Sequence, residues 1–189
     1  MGPKRRAFPE TMTLHFSRVF ALLGLLLPCV ACDQLTKVLA IDHLKGAGEV
    51  RVVDGVLRLV YAENPGAFLG LGSHLPDAWR VVLFVGAAAL LLCGVAFFVA
   101  KSARAQIAPA LFVGLALLVG GGVGNLVDRV VRDGGRVVDF AQLSAPAPFS
   151  GLHTGIFNVA DVQIMLGAAV VALAFRARKT PPAPSAATS

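Results

Sequence analysis

Long apolar stretches alternate with shorter polar segments along this chain of 189 residues. Residues 81–100 and 107–127 contain no charged side chain at all. At a rise of about 1.5 Å per residue, a helix of either length crosses the hydrocarbon core of a bilayer, which is about 30 Å thick. The pattern therefore predicts two transmembrane helices in the middle of the chain.

Two further apolar stretches have the length of a membrane span but contain charged residues. The first, at about residues 19–41, carries Asp33 and Lys37, and the last, at about 156–175, carries Asp161. An ionisable side chain at the centre of a bilayer costs on the order of 2.5–3.5 kcal/mol on insertion scales, so such residues face a bundle interior or the membrane interface. These three side chains are therefore candidates for function.

The segment between the first two spans has the pattern of a small β-sheet. Residues 49–53 and 56–61 are rich in β-branched residues and partly alternate, and Asp54-Gly55 lies between them. This dipeptide favours a tight two-residue hairpin, because both positions of that turn take a positive φ. We expect a β-hairpin, or cradle, at one end of the helices.

Together these elements predict an all-α membrane protein with four transmembrane helices and a small β-hairpin or cradle. The predicted spans are about 19–41, 79–100, 107–127 and 156–175, with the β-cradle at about 42–77. The chain divides into an N-terminal tail at 1–17, a four-span domain at 18–176 and a tail at 177–189. Because that last tail is rich in Pro, Ala, Ser and Thr, it is expected to be disordered.

Basic residues in the short loops and tails predict the orientation of the bundle. Nine of them lie in the two tails and in the link between the middle spans, opposed by a single acid, Glu10. The two other connections hold basic and acidic residues in alternation. We therefore expect both termini in the cytoplasm and the hairpin in the periplasm. The nine residues are Lys4, Arg5, Arg6, Arg18, Lys101, Arg104, Arg176, Arg178 and Lys179.

Composition supports the membrane assignment and excludes other classes. Charged residues make up 15% of the chain, against about a quarter in ordinary soluble domains. The net charge of +6 does not indicate nucleic-acid binding, because the basic residues flank apolar stretches and form no patch. Cys29, Cys32 and Cys93 lie in apolar stretches without the spacing of a metal site or a disulfide framework. The sequence predicts neither a metal nor a cofactor.

The N-terminus allows a second interpretation. A basic start, an apolar stretch and small residues before Cys32 are typical of a cleavable signal peptide, including one that ends at a lipid-modified cysteine. Against this, Cys29 stands where such a lipobox normally has Leu, and Pro28 precedes it. The polar continuation from Asp33 to Lys37 favours an uncleaved helix.

Polar residues gather at the span ends that face the periplasm in this topology. Asp33 and Lys37 are four residues apart, so they lie on one helical face at ion-pair distance, and an ion pair alone would explain them. Asn64 opens the segment Asn-Pro-Gly-Ala-Phe. That segment is typical of a structural loop, although the amide is also suited to binding backbone or a ligand.

The third span ends in a glycine-rich segment, residues 120–129, that includes Gly121. Glycines on a helix surface favour close packing between helices in lipid. Asn125, Asp128 and Arg129 follow at helical spacing, which predicts one polar face at the exit of the span. Packing explains the glycines better than it explains these three polar residues.

Two aspartates come together at the outer end of the predicted bundle. Asp139 lies in the last loop, and Asp161 shares a face of the last span with Asn158. A carboxylate in a first helical turn also offsets the helix dipole, which is the simpler explanation of Asp161. Two carboxyls close together in a partly desolvated site cannot both ionise, so one holds a proton while the other is a base toward water. This arrangement is typical of aspartyl proteases.

Five motifs carry a resemblance to a known family. They are Asp33-Gln-Leu-Thr-Lys37, Asn64-Pro-Gly-Ala-Phe68, Gly120-Gly-Gly-Val-Gly-Asn-Leu-Val-Asp-Arg129, Val137-Val-Asp-Phe140 and Phe157-Asn-Val-Ala-Asp161. In this order and spacing, over roughly residues 18–175, the chain resembles bacterial lipoprotein signal peptidase (signal peptidase II). One departure is Ala67-Phe68-Leu69, where the family often has two small residues before Phe.

The resemblance implies a four-span bundle with a periplasmic cradle that cleaves diacylglyceryl-modified prolipoproteins just before the lipidated Cys. It places the catalytic pair on Asp139 and Asp161. Substrate-binding or site-supporting roles fall on Asp33, Lys37, Asn64, Gly121, Asn125, Asp128, Arg129 and Asn158. It further implies a monomer in the bacterial inner membrane, in contact with lipids, with its site near the periplasmic face and no nucleic acid, and inhibition by globomycin-like cyclic peptides.

We therefore predict an intramembrane aspartyl endopeptidase, with two other functions left open. One is a small ion or proton-coupled transporter, which the clustering of the acids at one bundle end argues against. The other is a catalytically inactive relative that binds lipoproteins. A Ser-His or Cys-His mechanism has no support, since the histidines are expected to be solvated in loops or flanks: His15, His43, His74 and His153.

Overall fold

A computed structural model describes residues 10–66, 74–101, 108–146, 148–149 and 151–179. Within these ranges the helices are α1 (Glu10–Leu44), α2 (Asp77–Lys101), α3 (Pro109–Val131) and α4 (Val159–Lys179). The strands are β1 (Val50–Val53), β2 (Leu57–Asn64) and β3 (Val137–Leu143), which form one antiparallel sheet in the order β1-β2-β3. A 3₁₀ turn, Asp133–Gly135, precedes β3.

Three stretches of helix in the described part of the chain are long and apolar enough to cross a membrane. They are Phe20–Leu44, Pro109–Val131 and Val159–Ala177, while α2 contributes a shorter apolar stretch, Val82–Val95. A membrane protein with three such helices and a small sheet is thus confirmed, and the fourth span stays a prediction. Helix α1 begins at Glu10, earlier than the predicted span. Most of the predicted disordered tail lies outside the described residues.

Large apolar side chains cover the outside of the helices. Phe20, Leu90 and Leu173 are each more than 60% exposed, at 69%, 76% and 65%. In water, contiguous apolar surface of this kind marks an interaction site. On helices of this length it is the surface that lipid covers.

Helix α3 is the centre of the bundle and packs against α1, α2 and α4. Glycines make the α3–α4 contact close: a Cβ on Gly121 would overlap the carbonyl oxygen of Ala160, and one on Gly167 would lie 2.6 Å from the backbone nitrogen of Leu118. The expectation that glycines of the segment 120–129 serve helix packing is confirmed for Gly121, and Gly167 adds a close contact that was not predicted. The close contact places the start of α4 beside the C-terminal half of α3.

The predicted hairpin is present, but its turn has three residues and not two. Val53 pairs with Leu57, and Gly55 takes a φ of +72° in the connection between them. Three-residue loops with one left-handed glycine are the next most common hairpins after the two-residue type. The two-residue expectation was wrong because it counted Val56 as part of the strand.

The position of Asp139 also differs from the sequence expectation. The segment around it was expected to be a loop, whereas it is β3, which pairs with β2 from Asn64↔Val137 to Leu57↔Leu143. Val138 packs with Ala40 and Leu44 into a small core at the end of α1. Since neighbouring side chains of a strand point to opposite faces, burying Val138 turns Asp139 the other way.

Candidate active site

Asp139 is held by amide donors on both of its carboxylate oxygens. Asn64 donates from Nδ2 to Oδ2 of Asp139 at 2.9 Å, and Asn158 donates from Nδ2 to Oδ1 at 2.6 Å. The residue is 2% exposed. The pKa of Asp139 is raised to about 6, mainly by burial and also by the charge of Asp161, after the hydrogen bonds from Asn64 and Asn158 and the charge of Lys37 have opposed the increase.

Asp161 lies in the first turn of α4, where it forms reciprocal hydrogen bonds with Asn158. The backbone amide of Asp161 donates to Oδ1 of Asn158 at 3.0 Å, and the amide of Asn158 donates to Oδ2 of Asp161 at 3.2 Å. This is the pattern of a capping box, with Asp in place of the usual Glu or Gln. The simpler explanation of Asp161, as a residue that stabilises a helix start, is therefore part of its role.

Two asparagines connect the carboxylates. Asn158 Nδ2 donates to Asp139 and, at 3.1 Å, to Oδ1 of Asn125. Asn125 Nδ2 in turn donates to Oδ1 of Asp161 at 3.0 Å. Each carboxylate therefore receives hydrogen bonds from neutral amides, which leave its charge uncompensated.

The predicted pairing of Asp33 with Lys37 is confirmed and is part of a larger ion cluster. Lys37 Nζ lies 2.8 Å from Oδ2 of Asp33 and 3.0 Å from Oδ2 of Asp128, and all three side chains have no exposed surface. The remaining hydrogen bond of Lys37 goes to Oδ1 of Asn125 at 2.9 Å. We call Asp33, Lys37, Asp128 and Arg132 the buried ion cluster, since Arg132 Nε lies 3.0 Å from Oδ1 of Asp128.

Arg129 fastens the segments on either side of the site. Its guanidinium donates to the carbonyl oxygens of Gly135 at 3.0 Å and Gly66 at 2.6 Å, and stacks 4.3 Å from the ring centre of Phe84. Gly66 is fixed a second time, because its amide donates to Oδ1 of Asn64 at 2.9 Å. These contacts hold the end of β2 and the turn before β3 against α3 and α2.

The expected single polar face of Asn125, Asp128 and Arg129 holds for two of the three residues, because Asn125 and Asp128 both contact Lys37. Asp128 faces α1 and Lys37, Asn125 faces Asp161, and Arg129 faces the loops. Positions three and four apart are neighbours on a helix, but a 100° turn per residue still spreads three long side chains over different partners. Asn125 and Asp128 are thus joined through Lys37, whereas Arg129 binds the carbonyl oxygens of Gly66 and Gly135.

The predicted site residue Gly121 packs closely against Ala160 at the start of α4. Its neighbour Gly122, by contrast, lines a cavity. The segment Ala67-Phe68-Leu69, where the sequence departs from the family pattern, lies outside the described residues.

Two cavities meet at Asp161. One, of about 430 Å³, is lined by Asp139, Asp161 and mainly apolar side chains of β3, α4 and the loop between them. The other, of about 380 Å³, lies among α2, α3 and α4. The residues common to both cavities are Asn125, Arg129, Asp161 and Met165.

Two contributors to the site were not assigned from the sequence. Gln34 Nε2 donates to Oδ2 of Asp33 at 3.1 Å and to the carbonyl oxygen of Gly124 at 3.0 Å, and Phe84 stacks on Arg129. Gln34 had a signal, as a polar residue inside the first motif. Phe84 had none, because one more aromatic residue in an apolar helix looks like any other.

The histidines are placed as expected where the structure describes their side chains. His43, His74 and His153 are exposed, although His153 also lies at the rim of the larger cavity. The side chain of His15 lies outside the described residues.

This site belongs to a recognisable chemical class. Two carboxyls at one cavity, bridged by neutral amides in an apolar helix bundle, are the arrangement expected of an aspartic-type peptidase of the membrane. The sequence matches the family Peptidase_A8, described as signal peptidase (SPase) II, over residues 25–176. The chain belongs to the signal peptidase II family.

Named relatives agree with this assignment. The chain is 33% identical to "Lipoprotein signal peptidase" of Chlorobium phaeobacteroides over 76% of its own length and 83% of the relative. It is 36% identical to the protein of that name in Chlorobaculum tepidum, over 75% and 85% of the two chains. The corresponding Bifidobacterium adolescentis protein is 36% identical over 83% and 76%.

Solved structures share the fold. A bacterial membrane enzyme determined by the in meso method at 2.3 Å resolution superposes with a TM-score of 0.70 at 24% identity, over 90% of this chain and 96% of the other. A second, at 1.9 Å resolution, gives a TM-score of 0.64 at 25% identity, over 83% and 93% of the two chains.

Proposed function

We propose that this protein cleaves the signal peptide from diacylglyceryl-modified prolipoproteins, just before the lipidated Cys, with Asp139 and Asp161 as the catalytic pair. One observation carries the proposal: both carboxyls line the same cavity, connected through Asn158. The family and the names of the relatives supply the substrate class.

In the proposed mechanism the pair shares one proton. The ionised carboxylate takes a proton from a water molecule, whose oxygen attacks the carbonyl carbon of the scissile peptide bond. The protonated carboxyl donates to the carbonyl oxygen. When the tetrahedral intermediate collapses, the carboxyl that took the water proton gives it to the leaving nitrogen and the C–N bond breaks. The other carboxylate takes back a proton from a hydroxyl of the intermediate, which restores the pair with its one proton. The raised pKa of Asp139 supports a pair that holds its proton to higher pH than an ordinary aspartate does.

The supporting residues have distinct proposed roles. Asn64 and Asn158 orient Asp139, Asn125 and Asn158 orient Asp161, and Arg129 holds the surrounding loops. The apolar lining of the two cavities suits the signal peptide and the acyl chains of the substrate, whose reactive bond must reach Asp161 where the cavities meet.

We further propose a four-span topology, with both termini in the cytoplasm and the site near the periplasmic face of the inner membrane. The basic tails and the sheet that joins the ends of α1 and α3 support this orientation. The peptidase domain is proposed as residues 18–176, a monomer in contact with membrane lipids. By family resemblance, globomycin-like cyclic peptides are proposed as inhibitors.

The decisive experiment is incubation of the purified protein with a lipidated prolipoprotein, followed by mass analysis of the released peptide. We expect a peptide that ends at the residue before the lipidated Cys, and no release from the same precursor without its diacylglyceryl group. Binding without release would identify an inactive relative. Proton or ion flux in liposomes without peptide release would identify a transporter.

A further inference from the structure

The first turn of α4 is held by a carboxylate from α1. The backbone amide of Ala160 donates to Oδ1 of Asp33 at 2.9 Å, and both residues have no exposed surface. An amide in the first turn of a helix has no partner within the helix, so another group must accept its hydrogen bond. Asp33 thereby determines where α4 begins, one residue before Asp161.

The strand that carries Asp139 is held in the same way from α3. The backbone amide of Val138 donates to Oδ2 of Asp128 at 3.1 Å, and both residues have no exposed surface. The contact again falls one residue before a proposed catalytic aspartate. The same device therefore occurs once on each of the two segments.

The two carboxylates that make these contacts are tied to each other. Lys37 Nζ lies 2.8 Å from Asp33 and 3.0 Å from Asp128. Gln34 Nε2 also reaches both, at 3.1 Å and 3.3 Å. A close glycine leaves little freedom, because a Cβ on Gly124 would lie 2.5 Å from Oδ2 of Asp33.

We propose that Asp33 and Asp128, joined by Lys37 and Gln34, are positioning residues that set the separation of the two catalytic carboxyls. This inference rests on the proposed function of Asp139 and Asp161. It assigns the two buried carboxylates a task as hydrogen-bond acceptors for two particular amides, beyond charge balance within the bundle.

The competing explanation is a purely electrostatic one, in which the cluster matters only through its charge. An acceptor test separates the two explanations, because an amide oxygen accepts the same N–H bond without a charge, whereas an alkyl side chain does not. Removing Asp33 together with Lys37 keeps the cluster neutral, since Asp128 and Arg132 remain as a pair at 3.0 Å.

The experiment compares two double variants that differ in a single side chain. One combines Asp33→Asn with Lys37→Met, which retains an acceptor for the amide of Ala160. The other combines Asp33→Leu with Lys37→Met, which removes it. Cleavage kinetics, the pH profile and thermal unfolding in detergent are measured on both.

We expect the Asn variant to keep a kcat within about tenfold of wild type, and the Leu variant to lose a further ~10- to 100-fold, the cost of an unsatisfied buried amide. KM should differ by less than about threefold, because neither side chain lines the cavities. The alkaline limit of the pH profile should coincide in the two variants. Equal kcat values in the two variants would overturn the proposal in favour of charge alone.

A second pair tests the β3 side and covers failure of the first pair to fold. Asp128→Asn and Asp128→Leu, each combined with Arg132→Met, leave Asp33 and Lys37 as the neutral pair and differ only in the acceptor for Val138. As in the first pair, the Asn variant is expected to have a higher kcat than the Leu variant. Amide exchange in the wild-type chain gives an independent readout: slow exchange at Ala160 is expected, and fast exchange would overturn the proposal.

Failure of the proposed function has a different signature. If Asp139→Asn and Asp161→Asn both keep wild-type turnover, the catalytic assignment fails. If both abolish turnover while the acceptor variants behave alike, the catalytic assignment stands and the positioning role is lost.

Discussion

Two pairs of aspartates lie in this bundle, and they differ in what stands between their members. Asp33 and Asp128 share the ammonium of Lys37 and have no exposed surface. Asp139 accepts a hydrogen bond from the side-chain amide of Asn158, Asp161 accepts one from the backbone amide of the same residue, and both line a cavity. An ammonium cancels charge, whereas an amide only donates hydrogen bonds, so the second pair keeps an excess negative charge that favours a bound proton. The pair with the neutral bridge thus has the proposed catalytic role, and the pair with the cationic bridge has a structural one.

The largest expected effect is at Asp139 and Asp161, the pair that lines the cavity. Asp139→Asn and Asp161→Asn should each lower cleavage by ~10³-fold or more, with little change in the unfolding temperature, because the shape is kept and the shared proton is lost. Asp33→Asn is the matched change in the pair that Lys37 bridges. It leaves a buried cation only partly compensated, so we expect a loss of about 3 kcal/mol in unfolding free energy and a smaller loss of activity. Cleavage rates beside thermal unfolding in detergent measure both, and the reverse ordering would contradict the distinction.

A cation, the guanidinium of Arg129, also lies beside the pair that lines the cavity, and its role is the next test. Arg129→Lys keeps the charge but loses the fork that reaches the carbonyls of Gly66 and Gly135. We expect about tenfold lower activity and a lower unfolding temperature for Lys, and about 100-fold lower activity with a larger destabilisation for Ala. Activity and stability should fall together. Wild-type stability with weaker substrate binding alone would mean that Arg129 acts only on the substrate.

Two neighbouring glycines test how tightly the protein packs around the pair that Lys37 bridges. A methyl group on Gly124 would strike Asp33, whereas at Gly122 the nearest atom outside the helix is Cδ2 of Leu91, at 3.8 Å. Gly124→Ala should therefore cost about 1–3 kcal/mol of unfolding free energy. Gly122→Ala should change stability by less than that, or raise it by up to ~1 kcal/mol through helix propensity. Equal stability of the two variants in chemical denaturation would contradict the tight contact at Asp33.

The smallest expected effect is a shift in pH dependence. The bond from Asn64 favours the ionised form of Asp139, so Asn64→Ala should raise the pKa of that carboxyl above about 6. The pair then keeps its proton to higher pH, and the alkaline limit of cleavage should move upward by up to about one unit, the worth of one hydrogen bond. Gln34→Ala removes a side-chain amide beside the pair bridged by Lys37. It should lower kcat without moving the alkaline limit of cleavage. A pH profile of kcat for both variants decides the point.

Local spacing predicted the parts of the site that lie within one helix. The pairing of Asp33 with Lys37 is a contact between residues four apart, and that of Asn158 with Asp161 is one between residues three apart. The sequence could not predict β3, because its partner strand lies some 70 residues earlier in the chain and short apolar runs do not announce a non-local partner.

The direction of each polar side chain was equally beyond the sequence. Asp128 and Arg129 are adjacent in the chain, yet one faces the interior and the other the loops. Their partners come from α1, α2 and the segment after β2, and only the packing of those elements decides which partner each side chain meets. Phe84 shows the same limit, since its contact with Arg129 depends on how α2 lies against α3.

The spacing of the charges in the buried ion cluster has a consequence for how the protein enters the membrane. Asp33 and Lys37 are an acid and a base four residues apart on α1, and Asp128 on α3 has the same spacing to Arg132, which directly follows the end of that helix. Because each acid has a base one turn away, we expect the opposite charges of each segment to pair during insertion, before the helices pack together. In the folded protein Lys37 contacts Asp128 as well as Asp33, and this added contact joins the two pairs into one cluster. The same four side chains are thus expected to form two separate ion pairs during insertion, and they form one cluster in the folded protein.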